Sequence, residues 1–299
     1  MRDNLIKIFR TIEEREGIKI LFCIESGSRA WRMESANSDY DIRFVFVRPI
    51  DDYLLLNPKS DVVVDSYNEH FDRVPQEGCF IDLEGFDIYK FLKMLSSSNP
   101  TVIEWLMSDV VYDGVVPSVL IDYAIDNFNP IALYYHYKSM CKQNYVKYIQ
   151  SKNLLTYKKY LYAMRGLINA KYVAIFDRIP PINFVETISL IENNIPLNIR
   201  VLLLEIIVKK QSGEEKDIEA IIPDFDLYIE SYLNDDSDVP KRKVHRFDNL
   251  LNDYVHKLLL PVDVDYPHDE RCEGSMCYCK NRAMKENPEK WNNFVGGVR

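Results

Sequence analysis

Two aspartates two residues apart, Asp39 and Asp41, stand at the start of an alternating apolar run, and Arg43 follows at the same spacing. Because successive side chains of a strand point to opposite faces, all three would share one face of a strand over residues 39–47. Phosphoryl transfer from a nucleoside triphosphate uses paired carboxylates that hold divalent metal ions. The spacing therefore predicts that Asp39 and Asp41 bind Mg²⁺ or Mn²⁺.

A glycine and a serine, Gly27 and Ser28, follow the preceding β-rich run and begin a predicted helix. A glycine at such a turn lets a phosphate approach the backbone closely, and Ser28 adds a hydroxyl donor. Ten residues separate Ser28 from Asp39, which is enough for a short helix and a return to an adjacent strand. Arg29 and Arg43 flank these elements, where each either contacts phosphate or pairs with an acid.

Hydrophobic periodicity predicts the elements that would position these residues. Gly17 is predicted to end the first helix, and Asp87 is predicted to cap a later one. The predicted strands are 18–24, 39–47, 61–67 and 79–83, the last of which ends before Gly85. The predicted helices are 3–15, 88–95, a segment from 101, 130–150, 156–176 and 198–211.

A chain of 299 residues favours two packed lobes around one cleft. The pattern becomes almost wholly helical from about Pro117. We therefore predict an α+β fold followed by a helical C-terminal lobe. Residues 1–115 would form a catalytic domain with a mixed β-sheet and flanking helices, residues 116–266 a helical domain that supplies the other wall of the cleft, and residues 267–299 a weakly patterned tail.

The net charge of −9 argues at first against a nucleic-acid partner, but the charge is unevenly distributed. Residues 131–178 hold nine basic residues, one acid and nine tyrosines. Lys158, Tyr162 and Arg165 fall on one helical face, where they are candidates to hold a triphosphate and stack a base. The alternative is a solvated basic helix with tyrosines packed at its margins.

Other features bound the class of protein. No segment approaches the roughly 20 apolar residues of a bilayer span, and the N-terminus does not resemble a signal peptide, so we expect a soluble, cytoplasmic protein without a membrane partner. The six cysteines show no disulfide framework. The tail offers His268, Cys272, Cys277 and Cys279 to zinc, but their spacing matches no standard zinc motif, so reduced cysteines are expected there.

The string ESGSRAWRMESANSDYDIRFVFV, residues 25–47, resembles the signature of the DNA polymerase β-like nucleotidyltransferase superfamily. It is most similar to a subgroup of predicted nucleotidyltransferases associated with RNA repair in bacteria and phages. The resemblance extends over residues 20 to 185, through Gly85–Lys90, Ser98–Pro100 with Glu104–Leu106, Lys158–Arg165 and Pro180–Pro181. This chain departs from the subgroup at Arg32, usually a glycine, and at Phe86, usually a tryptophan.

The resemblance implies transfer of a nucleoside monophosphate from a nucleoside triphosphate to a hydroxyl of an RNA end, with release of pyrophosphate. Asp39 and Asp41 would hold two metal ions, and Gly27 and Ser28 the β- and γ-phosphates. A third carboxylate on a neighbouring strand is also implied. Asp82 is the preferred candidate, and Glu84 and Asp87 are the alternatives.

Two other functions stay open on the sequence. The same chemistry directed at a protein or a small molecule occurs in toxin-antitoxin and antibiotic-modifying relatives of the superfamily. A nucleotide or RNA sensor without catalysis is the third possibility, although intact Asp39, Asp41, Gly27 and Ser28 argue against it. No particular oligomeric state is predicted.

Overall fold

The computed structural model of the protein describes residues 1–151, 155–213, 222–242, 244 and 248–260. The strands are β1 Lys19–Ser26, β2 Tyr40–Val47, β3 Val62–Tyr67, β4 Ile81–Asp87 and β5 Val111–Gly114. The helices are α1 Arg2–Glu16, α2 Gly27–Ala30, α3 Ile50–Tyr53, α4 Ile88–Ser96, α5 Pro100–Leu106, α6 Ser118–Asn127, α7 Pro130–Asn144, α8 Tyr157–Phe176, α9 Phe184–Leu190, α10 Leu197–Gln211, α11 Pro223–Leu233 and α12 Asp248–Leu259. A π-helix, Tyr145–Gln150, follows α7, and a 3₁₀ turn, Glu192–Asn194, follows α9.

The five strands form one mixed sheet in the order β3-β4-β2-β1-β5. The central pair, β2 and β4, runs parallel, and the other neighbouring pairs are antiparallel. This sheet and its flanking helices confirm the predicted α+β class with a helical C-terminal portion. Strand β2, which carries Asp41 and begins directly after Asp39, lies in the middle of the sheet, so strands on both sides can bring side chains toward it.

Two details of the predicted strands are wrong. The strand predicted over 79–83 runs to Asp87, and Gly85 lies inside it. A Cβ at Gly85 would lie 2.0 Å from Cε2 of Phe44, so glycine is needed here for packing against a ring on β2 and does not end the strand. The fifth strand, β5, was not predicted, because its four residues are partly or fully exposed and lack an apolar alternation.

The sheet separates two hydrophobic cores. On one face, Phe9 of α1 packs with Phe44 and neighbouring apolar side chains. On the other face, Phe22 and Val45 belong to a larger core that continues through the helices as far as Val255. The predicted division into domains near residue 115 stays a prediction.

The helices α7 and α8 approach each other very closely. A Cβ at Gly166 of α8 would lie 2.7 Å from the backbone nitrogen of Cys141 and 2.8 Å from the carbonyl oxygen of Tyr137. This contact fixes α8 firmly against α7, so the N-terminal turn of α8 has a defined place relative to the sheet. Within the described part of the chain, no helix combines the length and apolar character needed to cross a bilayer.

Candidate active site

The carboxylates of two neighbouring strands meet at one end of the sheet. Asp41 on β2 is the register partner of Asp82 on the parallel strand β4. The guanidinium of Arg43 lies between them, with Nη2 at 3.2 Å from Oδ1 of Asp41 and 2.9 Å from Oδ2 of Asp82. Glu84 lies farther out, 3.8 Å from Nε of Arg43. We call Asp39, Asp41, Asp82 and Glu84 the acidic cluster.

The glycine turn packs directly against this cluster. Gly27 has a φ of 62°, in the left-handed region that favours glycine. A Cβ built on Gly27 would lie 1.9 Å from Oδ2 of Asp41, closer than any non-bonded pair can approach. Ser26, the residue before the turn, is the register partner of Asp41. The predicted convergence of the turn and the carboxylate is therefore present, and Ser28, the next residue, is buried there with 6% exposure.

The charges of the acidic cluster are only partly compensated. Burial raises the pKa of Asp41, and the negative charges of Asp82 and Asp39 raise it further, against the lowering effects of Arg43 and Lys158. The Asp41 and Asp82 side chains nevertheless stay 31% and 18% exposed, so they are accessible from solvent. The cluster is therefore an open site with an excess of negative charge.

Carboxylate oxygens are the donors that Mg²⁺ and Mn²⁺ prefer, so the chemistry of Asp39, Asp41 and Asp82 fits a divalent cation. The raised pKa of Asp41 supports this fit, because a bound cation would offset the negative charge around it. Among the described residues, no group of three or more His, Cys, Asp or Glu side chains surrounds a single point in this conformation. Arg43 instead links the carboxylates of the two strands.

Glu25 is a buried acid beside the acidic cluster, and sequence reasoning missed it. Its side chain is 1% exposed, and its Oε1 accepts a hydrogen bond of 2.9 Å from the backbone N–H of Asp41. The hydroxyl of Tyr112 on β5 donates to the other oxygen. Burial raises the pKa of Glu25 to about 7. An acid at the end of an otherwise apolar strand was the signal that could have identified it.

The alternatives for the third carboxylate occupy different places. Asp87 lies at the far end of β4 from Asp82, where it caps α4 by accepting from the N–H of Tyr89 and also accepts from the hydroxyl of Tyr53. This structural role separates Asp87 from the acidic cluster. Glu84 shares the face of Asp82 but contacts Arg43 only at 3.8 Å, so Asp82 is the acid that the register brings beside Asp41.

Arg29 supports the loop that leads into β2. Its Nε and Nη2 donate to the carbonyl oxygens of Asp39 and Ser38 at 3.1 Å and 2.7 Å, and its guanidinium lies 3.8 Å from the ring centre of Tyr40. The interpretation of Arg29 as a phosphate contact or acid partner therefore misses its main contacts, which are with backbone. They fix the position of Asp39 relative to the glycine turn.

The structure separates the three residues predicted on one face of α8. Lys158 lies near enough to the acidic cluster for its charge to lower the pKa of Asp41, against the larger raising effect of burial. Tyr162 lies edge-on to Trp31, which directly follows α2, with ring centres 5.8 Å apart. Arg165 is only 4% exposed and forms an ion pair with Glu104 of α5. Arg165 therefore does not contact a substrate directly, which corrects the prediction made for it.

Arg165 belongs to a buried network of Trp31, Glu104, Tyr137 and Arg165. Glu104 accepts from the indole N–H of Trp31 at 3.1 Å and from the hydroxyl of Tyr137 at 2.9 Å, besides its ion pair with Arg165. The guanidinium of Arg165 also stacks 3.6 Å from the ring centre of Trp31. The network thus ties the segment after the glycine turn to α5, α7 and α8.

The two departures from the subgroup pattern have clear surroundings. Arg32 has a φ of 59°, so it adopts the left-handed conformation that suits the glycine of similar proteins. Its side chain pairs with Asp109 at the surface. Phe86 stacks on Trp105 with ring centres 4.5 Å apart, which places an aromatic ring in the core where similar proteins have tryptophan.

Two other features lie outside the site. The possible zinc ligands His268, Cys272, Cys277 and Cys279 fall outside the described residues. A cavity of about 150 Å³ is lined by Lys171 and Asp238 among others, near the C-terminal half of α8. The candidate active site lies instead at the open end of the central strands β2 and β4.

A model of the RNA repair pathway DNA polymerase beta family (RlaP) matches residues 1–259. A protein of Bacillus subtilis (strain 168) named "Uncharacterized protein YcgL" is 30% identical over 235 residues, which cover 78% of this chain and 85% of that protein. A solved structure of a nucleotidyltransferase-like protein from Exiguobacterium sibiricum 255-15 aligns with 70% of this chain and 77% of its own, with 11% identity and a TM-score of 0.27.

Proposed function

This chain belongs to the RNA repair pathway DNA polymerase beta family, and from that premise we propose that it transfers a nucleoside monophosphate from a nucleoside triphosphate to the hydroxyl of an RNA end. Pyrophosphate is the other product. The observation that carries the proposal is the contact between Gly27 and Asp41, opposite Asp82. The turn presents backbone N–H groups beside a carboxylate whose negative charge is only partly balanced. This arrangement suits a substrate that combines phosphates with a divalent cation.

Each group of the site has a role in the proposal. The backbone N–H groups at Gly27 and Ser28 and the Ser28 hydroxyl donate to the β- and γ-phosphates, and the missing side chain at Gly27 leaves room for the Asp41 carboxylate beside them. Asp39, Asp41 and Asp82 would hold Mg²⁺ or Mn²⁺, which when bound offsets the charge of the triphosphate and favours ionisation of the attacking hydroxyl. Asp82, on the neighbouring strand β4, accepts the proton of that hydroxyl.

The basic groups of the site act on substrate charge and on geometry. Lys158 reaches toward the acidic cluster from α8 and supplies positive charge for the triphosphate. Arg43 keeps the carboxylates of β2 and β4 side by side through its hydrogen bonds to Asp41 and Asp82. Tyr162, which lies between Lys158 and Trp31, is placed to stack on the base of the nucleotide.

The test is a labelling experiment with the full chain. The protein is incubated with each α-labelled nucleoside triphosphate and Mg²⁺, together with separate pools of RNA, protein and small molecules, and pyrophosphate is measured alongside the label. We expect label in RNA and metal-dependent release of pyrophosphate, both abolished by a chelator. Label found only in protein or small molecules would overturn the RNA assignment, and absence of pyrophosphate release with every pool would overturn the transfer reaction.

A further inference from the structure

The basic residues of the helical portion fall into two groups. Some are used inside the fold: Lys138 is buried and bound to Asp236 at 2.8 Å, and Arg165 is bound to Glu104. Others are not neutralised in this way, since neither Lys147 nor Lys159 forms an ion pair with any acid of the described chain. Lys147 lies in the π-helix, and Lys159 lies at the start of α8.

The lysines of the second group surround an aromatic ring. The ammonium of Lys159 lies 3.7 Å from the ring centre of Tyr148, and that of Lys147 lies 4.8 Å from it. The two lysines, Lys147 most strongly, lower the pKa of the Tyr148 hydroxyl. We call Lys147, Tyr148 and Lys159 the Tyr148 platform. Tyr148 and Lys147 lie in the π-helix, a rare element that often occurs at functional sites.

The platform is linked to the candidate active site by adjacent residues. Lys159 follows Lys158, whose charge acts on Asp41 and whose ammonium lies 6.0 Å from the ring centre of Tyr162. Tyr162 in turn contacts Trp31, beside the glycine turn. The platform and the residues near the acidic cluster therefore both draw on the first turns of α8.

We propose that the Tyr148 platform binds the single-stranded segment of the RNA acceptor behind its reacting end. The proposal rests on the proposed transfer to RNA and assigns it a second contact surface. Phosphates bind the ammonium groups of Lys147 and Lys159, whose flexible side chains swing away from the ring, and a base then stacks on Tyr148. An unpaired strand is required, because the base faces of a duplex are already stacked.

The experiment measures binding without catalysis. Fluorescence anisotropy follows a labelled single-stranded RNA of roughly a dozen nucleotides with the full chain, without nucleoside triphosphate or Mg²⁺. We expect Tyr148→Ala to weaken binding about tenfold. The double variant Lys147→Glu/Lys159→Glu should weaken it further and should reduce the slope of log K against log salt by about 1.4, since two phosphate contacts to a single strand are lost.

Matched variants separate the platform from general charge and aromatic effects. Lys7→Glu makes the charge change of one platform lysine on α1, on the opposite side of the sheet, and Tyr135→Ala removes an exposed tyrosine of α7. Both should bind RNA like the wild type. Equal affinity of the platform variants and the wild type for the RNA would overturn the proposal. So would the absence of RNA binding by the wild type, or stronger binding of a duplex than of the single strand. Competition by polyglutamate as effective as that by unlabelled RNA would overturn it too.

The result is independent of the proposed function. Asp41→Asn should lower transfer on the order of 10²–10³-fold but retain RNA binding, because Asp41 is outside the platform. Platform-dependent binding without pyrophosphate release from the wild type would contradict the transfer reaction alone. Metal-dependent transfer to RNA with unchanged binding by the Tyr148 and lysine variants would contradict the platform alone.

Discussion

The acidic cluster and the buried network are built from the same kinds of residue, arginine and carboxylates, yet they differ in how the charges are balanced. In the buried network a single acid, Glu104, accepts from an arginine, an indole and a hydroxyl. One positive and one negative charge therefore share an almost solvent-free space with their hydrogen bonds made. Such an arrangement stabilises a particular packing and leaves no unbalanced charge to bind a ligand.

In the acidic cluster one arginine, Arg43, contacts three carboxylates, those of Asp41, Asp82 and Glu84. Negative charge exceeds positive charge among these contacts, and the pKa of Asp41 is raised as a result of burial and its acidic neighbours. The difference teaches that charge balance, more than residue type or burial, distinguishes a site that stabilises the fold from one prepared for a cationic ligand. The acidic cluster therefore lowers the folding stability of the protein, and the uncompensated negative charge that causes this loss is what can bind a cation.

The largest effect should come from removing the acid of the balanced site. Glu104→Ala leaves the guanidinium of Arg165 buried without its partner, which should lower the free energy of unfolding by about 3–5 kcal/mol. Urea denaturation measures this change. Glu84→Ala, the removal of an exposed acid from the acidic cluster, is the matched control and should change stability by less than about 0.5 kcal/mol. Similar losses for both variants would remove the distinction between the two regions.

Neutralising an acid of the acidic cluster should lower activity and leave stability unchanged or higher. Asp41→Asn should lower transfer activity on the order of 10²–10³-fold, because a charged group acting on the reacting phosphates is lost. Its stability at neutral pH should equal or exceed that of the wild type, since the raised pKa of Asp41 means that its charged form is disfavoured in the folded protein.

Activity assays and urea denaturation of the same preparation test the pair of effects. Asp87→Asn is the control, because this residue caps α4 away from the cluster and should retain activity. A clear loss of stability in Asp41→Asn would show that Asp41 is a structural acid like Glu104.

The pH dependence of stability should reveal Glu25. The folded protein holds the Glu25 proton up to a pKa of about 7, whereas the unfolded chain releases it near the usual 4.5. Its contribution to stability is therefore complete below pH 4.5 and is lost as pH rises through 7, by roughly 3 kcal/mol.

Glu25→Gln keeps the size of the side chain and stays neutral. Subtracting its unfolding free energies from those of the wild type, without metal and between about pH 5 and pH 8, isolates this term from the histidines that both proteins share. A flat difference over that range would contradict the raised pKa of Glu25.

The smallest effect should come from Arg32, the surface residue that stands where similar proteins usually have glycine. The left-handed conformation disfavours a side chain by roughly 1 kcal/mol, so Arg32→Gly should relieve this strain. The loss of the exposed pair with Asp109 and the greater freedom of the unfolded chain offset part of that gain. We expect a net stabilisation below about 1 kcal/mol in thermal unfolding. Asp109→Asn, which removes only the pair, should change stability by less, and a large loss in Arg32→Gly would contradict the account.

Local patterns predicted most of the fold and the centre of the site. Strand alternation placed Asp41 and Arg43 on one face, and turn chemistry placed Gly27 beside them. Contacts between distant segments were not predictable in the same way. The role of Arg165 depends on Glu104, 61 residues away, and the buried state of Glu25 depends on Tyr112 in a short strand without periodicity. A helical face shows which side chains lie together, but not whether they point to a ligand or to the core.

The lack of a side chain at residue 27 has a consequence for how this protein can change by substitution. The space that a methyl group would need at Gly27 is filled by the carboxylate of Asp41. Any enlargement at residue 27 therefore requires a smaller or displaced residue 41, and a smaller residue 41 no longer carries an acid in that place. A single substitution at either position therefore disrupts the site. Because each residue restricts what the other can be, the two cannot be replaced one after the other without passing through a disrupted site.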